Sequence, residues 1–161
     1  MNQPANHSVM HSDNISASAP RIALYAGSFS PFTIGHRSVL ERALQIFDRV
    51  IVMVGVNPSK PRRQDYVDAL QAFIDKTPRA ELLLWDGLTV DAARSHGARW
   101  LVRGARTVAD FEYERTLADV NRAIAGLETV ILLAEPELSM ISSSMVRELQ
   151  SHGHDITPYL P

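Results

Sequence analysis

The chain has 161 residues, about the length of one domain, and its 45% hydrophobic and 21% charged content is typical of a globular protein. A formal net charge of −2 argues against a general affinity for nucleic acid or for an anionic membrane. The absence of cysteine excludes disulfides, a thiolate nucleophile and a cysteine-based metal site, and no apolar stretch approaches the length of a membrane span.

The first twenty residues differ in composition from the rest of the chain. They are rich in serine and asparagine, contain no lysine or arginine, and lack the apolar core of a secretory signal. We therefore predict a disordered extension over residues 1–20, followed by a single domain over residues 21–161. A chain without cysteine fits a reducing compartment.

Short apolar runs alternate with segments of helical periodicity along the rest of the chain. Strands are predicted over residues 21–27, 49–58, 80–85, 98–104 and 128–134. Helices are predicted over residues 38–47, 66–75, 89–97, 110–126 and 143–153. In the fourth helix, Asp110 is the predicted N-cap and Gly126 follows the last turn. Five β-α repeats with apolar strands predict a Rossmann-like, doubly wound fold, with a five-stranded parallel sheet and helices on both faces.

Small, cationic or hydroxyl-bearing residues follow each predicted strand. They lie at residues 27–28, 57–60, 87–89, 103–106 and 142–144. In a parallel sheet these five loops share one edge, where ligands bind outside the carboxyl ends of the strands. Each cluster also has a plain structural interpretation as a turn, a helix cap or a solvated loop tip. Their convergence on one edge favours a phosphate-binding site.

Four segments carry a resemblance to a known family. The stretch "YAGSFSPFTIGH" resembles the signature of nucleotidyltransferases that have a (H/T)-x-G-H motif. The segments "NPSK", "LVRGARTVADFEYE" and "ISSSMVRELQSHGHDITPYLP" are similar, more narrowly, to the phosphopantetheine adenylyltransferases. The similarity runs from about residue 22 to the end of the chain.

The resemblance implies a reaction as well as a fold. In this family, ATP and 4′-phosphopantetheine give dephospho-coenzyme A and pyrophosphate, with Mg2+ assisting, in a step of coenzyme A biosynthesis. The pantetheine phosphate attacks the α-phosphate of ATP in line, without a covalent intermediate. The resemblance also implies a cytoplasmic homohexamer, with no nucleic-acid or membrane partner.

The resemblance assigns roles to individual residues. His36 is expected to stabilise charge on the α-phosphate, as the catalytic residue. The residues expected to bind the acceptor are Ser28, Lys60, Thr89 and Arg103. The residues expected to bind ATP are Ser28, Phe29, His36, Gly104, Ala105, Arg106, Glu114, Leu138, Ser139, Met140, Ile141, Ser142, Ser143 and Ser144. Thr33 and Arg147 are further candidates, the latter for the outgoing pyrophosphate.

Several positions depart from the family pattern, among them Ser30, Leu138 and Met140, and two other functions stay open. Ser30 replaces the usual aspartate, while Leu138 and Met140 replace aromatic residues. These changes favour a nucleotide-binding protein without catalysis as one alternative; an adenylyltransferase with another acceptor, such as nicotinamide mononucleotide, is the other. The plain alternative for Arg103 is a structural ion pair with Asp110 or Glu114.

Overall fold

The computed structural model of the protein describes residues 19–56 and 63–161. In these residues, five strands form one parallel sheet, in the order β3-β2-β1-β4-β5. The strands are β1 (Ile22–Gly27), β2 (Arg49–Gly55), β3 (Ala80–Trp85), β4 (Trp100–Ala105) and β5 (Glu128–Leu133). The predicted Rossmann-like fold class is confirmed, and β1 is the central strand.

Five helices follow the strands in alternation. They are α1 (Ile34–Ile46), α2 (Gln64–Ile74), α3 (Thr89–Ser95), α4 (Val108–Ala125) and α5 (Ser143–Ser151). Two short 3-10 turns, Pro136–Leu138 and Thr157–Tyr159, complete the regular structure of the described residues. None of the described helices is both long enough and apolar enough to cross a membrane.

Side chains alternate across the sheet and build a core on each face. On one face, Tyr25 and Val52 pack among residues of α1 and α2 that include Leu40 and Leu70. On the other face, buried residues of the strands pack with three residues of α3, Val90, Ala92 and Ala93. Successive strand residues point to opposite faces, so a strand covered on both sides is apolar throughout.

The first helix begins four residues earlier than its apolar periodicity predicts. Thr33 is its N-cap, with extended backbone (φ −111°, ψ 169°), and His36 occupies the third helical position. The two side chains form a reciprocal capping box, which satisfies two amide groups at the helix start. The predicted boundary at residue 38 was wrong because the first turn, residues 34–37, contains a glycine and two polar residues and precedes the apolar periodicity.

The predicted N-cap of the fourth helix was also wrong. Thr107 caps α4, and its Oγ1 accepts the Asp110 amide N–H at 3.1 Å. Asp110 lies inside the first turn, where its carboxylate accepts the Arg106 amide and pairs with the Arg106 guanidinium, both at 3.2 Å. The C-terminal prediction is confirmed, because Gly126 follows the helix in the left-handed conformation (φ 65°).

Two sequence predictions concern residues that the structure does not describe. The predicted disordered extension lies outside the described residues over positions 1–18. Lys60, predicted to bind the acceptor phosphate, also lies outside them.

Candidate functional site

A cavity of about 330 Å3 opens at the carboxyl ends of β1 and β4, between the first turns of α1 and α5. The strand order reverses direction between these two strands, and open α/β sheets bind ligands at this point. The cavity brings together most of the predicted site residues. The predicted residues on its wall are Ser28, Phe29, Thr33, His36, Arg103, Gly104, Ala105, Arg106, Leu138, Ile141, Ser142, Ser143, Ser144 and Arg147.

The imidazole of His36 is held in one orientation by the start of α1. Its Nδ1 accepts the Thr33 backbone N–H at 3.0 Å. Burial, and then the positive charges of Arg106 and Arg103, lower the pKa of His36 to about 4. The ring is therefore neutral at pH 7, and because Nδ1 is an acceptor, its proton is on Nε2. The arrangement leaves Nε2–H as a neutral donor.

An aromatic cluster fixes the loop after β1 against the His36 ring. Phe29 has a positive φ of 43°, a strained conformation for a bulky residue, and its ring is buried. The ring meets those of Tyr25, Phe32 and His36 at centroid distances of 5.0, 5.3 and 5.1 Å. A Cβ at Gly27 would lie 2.8 Å from the Phe29 ring, so close packing of this ring requires glycine there.

Arg103, at the end of β4, is held by a buried carboxylate of α4. Its Nε and Nη2 each donate to one oxygen of Glu114, both at 2.7 Å. Its Nη1 donates to the carbonyl oxygen of Ala26. Burial opposes the charge of the guanidinium, but the Glu114 carboxylate outweighs it, so the pKa of Arg103 is raised. The structure therefore contains the ion pair that the sequence left as an alternative.

Two further arginines border the cavity. The Arg106 guanidinium, in the loop before α4, pairs at 3.2 Å with the carboxylate of Asp110 in the first turn of that helix. Arg147 of α5 donates to the carbonyl oxygen of Ser30 and, at 3.0 Å, to the Ser144 hydroxyl. The Arg106 side chain is 40% exposed, and Arg147 is also exposed. Both guanidiniums therefore retain N–H groups that can bind an anion.

The N-terminus of α5 faces the same cavity with a run of three serines. The Ser142 hydroxyl caps the helix by accepting the Met145 amide at 3.1 Å, and Ser143 Oγ donates to the Pro31 carbonyl at 2.8 Å. Within the described part of the chain, the amides of Ser143 and Ser144 have no hydrogen-bond partner. Free amides at a helix N-terminus attract phosphate oxygens.

Some predicted site residues lie off the cavity wall. Thr89 is the first residue of α3, the helix that follows β3. This strand lies at the edge of the sheet, two strands away from β1. Ser139 and Met140 precede α5, with 82% of the Met140 surface exposed. Glu114 is buried behind Arg103 and does not line the cavity.

Sequence reasoning missed one polar residue of the cavity. Tyr25 lines the cavity with 3% of its surface exposed, and burial raises the pKa of its hydroxyl, which stays protonated. Among the described residues, this hydroxyl makes no hydrogen bond, although buried tyrosine hydroxyls usually find a partner. Tyr25 lies within an apolar strand segment, where its hydroxyl is the one sequence signal that could have marked it as a candidate site residue.

Cations, amides and hydroxyls, with no acidic group, form the polar part of the cavity wall that the structure describes. No cluster of three or more histidine or carboxylate side chains occurs among the described residues. The arrangement can bind more than one phosphate group and offer a neutral hydrogen-bond donor between them. It is suited to stabilising negative charge by fixed dipoles and cations.

Comparison with known proteins agrees with this chemistry. A family model described as cytidylyltransferase-like matches residues 24–149. The phosphopantetheine adenylyltransferase of Phocaeicola vulgatus is 47% identical over 144 residues, covering 88% of this chain and 95% of that protein. The phosphopantetheine adenylyltransferase of Porphyromonas gingivalis is 49% identical over 146 residues, covering 87% and 94%.

Solved structures share the fold at lower identity. A putative nicotinate-nucleotide adenylyltransferase from Vibrio parahaemolyticus has a TM-score of 0.59 at 22% identity, covering 88% of this chain and 94% of that one. A bifunctional NMN adenylyltransferase/ADP ribose pyrophosphatase from Francisella tularensis, complexed with AMP and a manganese ion, has a TM-score of 0.65 at 12% identity, covering 88% and 44%. At these identities the likeness concerns the fold alone.

Proposed function

The chain belongs to the phosphopantetheine adenylyltransferase family, and we propose that it transfers the adenylyl group of ATP to 4′-phosphopantetheine. The products are dephospho-coenzyme A and pyrophosphate, in coenzyme A biosynthesis. The observation that carries the proposal is the composition of the cavity. Three arginines, a neutral imidazole and the N-terminus of α5 converge there, and no carboxylate lies on the described wall. This set suits two phosphorylated substrates.

The chemistry is a single displacement at phosphorus. An oxygen of the pantetheine phosphate forms a bond to the α-phosphorus while the bond from that phosphorus to the pyrophosphate oxygen breaks. Negative charge grows on the non-bridging oxygens and on the leaving pyrophosphate. Catalysis then consists of positioning the two phosphates and stabilising this charge.

His36 is the residue proposed to act on the α-phosphate. Its Nε2–H donates to a non-bridging oxygen, and the bond strengthens as charge develops there. The Thr33 backbone holds Nδ1 at 3.0 Å, so the ring needs no reorientation during the reaction. Because the imidazole is neutral, it donates this hydrogen bond without transferring its proton to the phosphate.

The two substrates are assigned to different sets of residues around the end of the central strand. Arg103, Ser28 and Lys60 bind the acceptor phosphate, and Thr89 lies along the pantetheine arm. Gly104, Ala105, Arg106 and the segment 138–144 bind ATP. The α5 N-terminus and Arg147 hold the pyrophosphate as it leaves. Support comes from the free Ser143 and Ser144 amides and from the N–H groups that Arg147 retains after its contacts with Ser30 and Ser144.

Magnesium is proposed to enter as part of the substrate. The described cavity wall supplies no carboxylate, so these residues do not fit a magnesium ion held by the protein alone. The triphosphate oxygens of ATP are the ligands that Mg2+ prefers in such sites. We assign Mg2+ to the ATP complex.

The resemblance and one surface feature support an assembly. Large apolar side chains are exposed along α4, namely Val108, Phe111, Tyr113, Val120 and Ile124. Exposed apolar surface of this kind is typical of protein interfaces. We therefore include a homohexamer in the proposal. A cytoplasmic location is proposed separately, from the resemblance and from the absence of cysteine.

A pyrophosphate-release assay with a panel of acceptors tests the function. With ATP, we expect turnover with 4′-phosphopantetheine and none above background with nicotinamide mononucleotide or nicotinate mononucleotide. Mass spectrometry should identify dephospho-coenzyme A in an amount equal to the pyrophosphate. Preference for a mononucleotide acceptor, or ATP binding without turnover on any acceptor, would contradict the proposal.

A variant pair tests the acceptor assignment within the same assay. Arg103→Ala removes a charged hydrogen bond worth about 1.5–3 kcal/mol, so the KM for phosphopantetheine should rise at least about tenfold, and that for ATP much less. Arg99→Ala is the matched control, because Arg99 is exposed beside Trp100 at the opposite end of β4. An equal effect on both substrates would remove Arg103 from the acceptor site.

A further inference from the structure

We infer that Gln150 is a positioning residue for the anion site at the α5 N-terminus. Its side-chain amide joins the last turn of α5 to the start of α2, about 10 Å along the helix from the Ser143 and Ser144 amides. The inference rests on the proposed function, in which those two amides bind the pyrophosphate part of ATP. Gln150 itself lies off the cavity wall, so it acts by fixing the direction of the helix.

Side-chain hydrogen bonds tie α5 to two neighbouring segments from one stripe of the helix. Ser143 Oγ donates to the Pro31 carbonyl at 2.8 Å. Arg147 Nη1 donates to the Ser30 carbonyl. Gln150 accepts from α2, and the spacing i, i+4, i+7 puts these three side chains on the same face of a helix. The start of α5 is therefore held by the loop after β1, and its end is held by α2.

Apolar packing does little to orient α5. Val146, on the same face as the polar stripe, is the one residue of this helix that is buried. Burial of apolar surface favours contact but has no preferred direction, whereas a hydrogen bond weakens steeply when its angle changes. The direction of α5 therefore depends on the hydrogen bonds at its two ends.

The amide oxygen of Gln150 accepts two hydrogen bonds from the start of α2. The Tyr66 hydroxyl donates to Oε1 at 2.6 Å, and Arg63 Nη1 donates to it at 3.1 Å. An arginine side chain has no acceptor, so its neighbour must be the oxygen of the amide and not the nitrogen. A carbonyl oxygen has two lone pairs, and the two donors use both. The contact thus fixes one orientation of the Gln150 side chain.

The two donors on α2 are themselves restrained. Tyr66 is 7% exposed, and the Arg63 guanidinium lies over its ring with Cζ 4.3 Å from the ring centroid. Arg63 also donates to the Asp65 carboxylate, at 2.6 and 3.1 Å. The ion pair and the cation–π contact limit the conformations of an otherwise exposed side chain. The partner of Gln150 is therefore in place before a ligand binds, which lowers the cost of ordering the site.

The position of this link separates the two substrates. A helix held at both ends presents its first free amides, those of Ser143 and Ser144, in one direction. Without the link at Gln150, the helix is held at its start alone, and fewer of its orientations place both amides against a pyrophosphate. The proposed acceptor contacts, Arg103 and Ser28, follow β4 and β1 and do not depend on α5.

The inference predicts a selective loss of affinity for ATP and pyrophosphate. Gln150→Leu is similar in size but removes the acceptor for both donors. We expect the dissociation constants of ATP and of inorganic pyrophosphate, each measured alone by calorimetry, to rise by about three- to tenfold, roughly the effect of one lost hydrogen bond. The affinity for 4′-phosphopantetheine should stay within about twofold. Gln150→Glu keeps an oxygen for both donors and should bind ATP within about twofold of the unmutated chain.

A double-mutant comparison and a matched control test whether the effect acts through α2. Tyr66→Phe should weaken ATP binding in the same direction as Gln150→Leu, and the two together should add less than about twofold to the larger single effect. Gln71→Leu is the control, because this exposed glutamine of α2 donates within its own helix to Asp75. An equal loss of affinity for 4′-phosphopantetheine, fully additive effects, or no recovery in Gln150→Glu would overturn the inference.

A spectroscopic measurement keeps the test independent of how well Gln150→Leu folds. In Tyr66→Phe, which removes a single oxygen atom, the amide NMR signals of Ser143 and Ser144 should shift or broaden in the free protein. Their response to added pyrophosphate should need a correspondingly higher concentration. Signals and response identical to those of the unmutated chain would overturn the inference. If the unmutated chain binds neither ATP nor pyrophosphate, the proposed function fails instead.

Discussion

At position 36, one imidazole ring has two nitrogens with different tasks. Nδ1 accepts the Thr33 amide and fixes the ring at the start of α1, which leaves Nε2–H for a ligand. The same residue is therefore part of a helix cap and part of the cavity wall. The sequence motif led to the prediction of a site residue at His36, and the capping contact with Thr33 became visible only in the structure.

Replacing this ring should affect the rate more than binding. In His36→Ala, we expect kcat to fall by about 10²–10³, because a donor that strengthens in the transition state is lost, with little change in ATP affinity. Steady-state kinetics and calorimetry with ATP alone check this. His154→Ala, at an exposed position near the C-terminus, is the control. Turnover within a few-fold of the unmutated rate would make His36 a purely structural residue.

The protonation of His36 gives a second prediction at the same residue. Its pKa of about 4 in the folded chain lies below the usual 6.5, because of burial and the charges of Arg106 and Arg103. The unfolded chain therefore binds the proton first as pH falls. The stability contributed by the neutral ring is complete above about pH 6.5 and is lost progressively toward pH 4.

An NMR titration of the free chain measures this pKa directly. We expect the His36 signals to stay in the neutral form down to about pH 5, with Nε2 protonated. The difference in unfolding free energy between the unmutated chain and His36→Ala should shrink as pH is lowered from 7 to 5. A His36 pKa near 6.5, or an Nδ1-protonated tautomer, would contradict the geometry described for the α1 N-terminus.

The hydroxyl of Tyr25 yields a prediction that separates ligand binding from stability. Because this hydroxyl has no partner among the described residues, Tyr25→Phe should leave the melting temperature unchanged or raise it slightly. If the hydroxyl donates to a bound phosphate, acceptor affinity should fall by about three- to tenfold. Calorimetry and thermal unfolding measure the two effects. A lowered melting temperature with unchanged affinity would show that the hydroxyl has a partner within the protein.

At the scale of the elements, strands were easier to predict than helix starts. The apolar run at 80–85 gave the bounds of β3 directly, although β3 is an edge strand whose residues are only partly buried or are exposed. The starts of α1 and α4 were wrong by four and two residues. Both depend on a threonine that caps the helix from outside the periodic segment, Thr33 and Thr107. Asp110 was predicted as the cap of α4, and residue spacing alone does not show that the Thr107 hydroxyl makes the capping contact.

The corrected cap of α4 can be tested by its stability. Thr107→Ala removes the oxygen that accepts the Asp110 amide, which should cost about 1 kcal/mol and lower the melting temperature by about 2–4 °C. Thr116→Ala is the control, because this exposed threonine donates within the same helix to the Glu112 carbonyl. If Thr107→Ala melts no lower than Thr116→Ala, Thr107 does not cap the helix.

At the scale of the whole molecule, the strand order decides which loops meet. With β1 between β2 and β4, the loops after β1 and β4 adjoin, and His36 and Arg103 line the same cavity. The sequence predicted this convergence because β-α repeats fix where the carboxyl ends of strands lie. It did not predict the Arg103–Glu114 pair as the outcome, since Asp110 and Glu114 were both within reach along the chain. Thr89, which follows the edge strand β3, lies two strands from β1, and its place along the pantetheine arm stays a prediction.

The central claim is that this cavity transfers the adenylyl group directly, by holding two phosphates in line. Its wall also carries potential nucleophiles, among them His36, Ser28 and Tyr25, so a covalent adenylyl intermediate is the alternative to be tested. The stereochemical course decides between them. With ATP carrying one sulfur on the α-phosphate, of known configuration, and 4′-phosphopantetheine as acceptor, we expect the product to have the inverted configuration at phosphorus. Retention of configuration, which requires two successive displacements, would contradict the account.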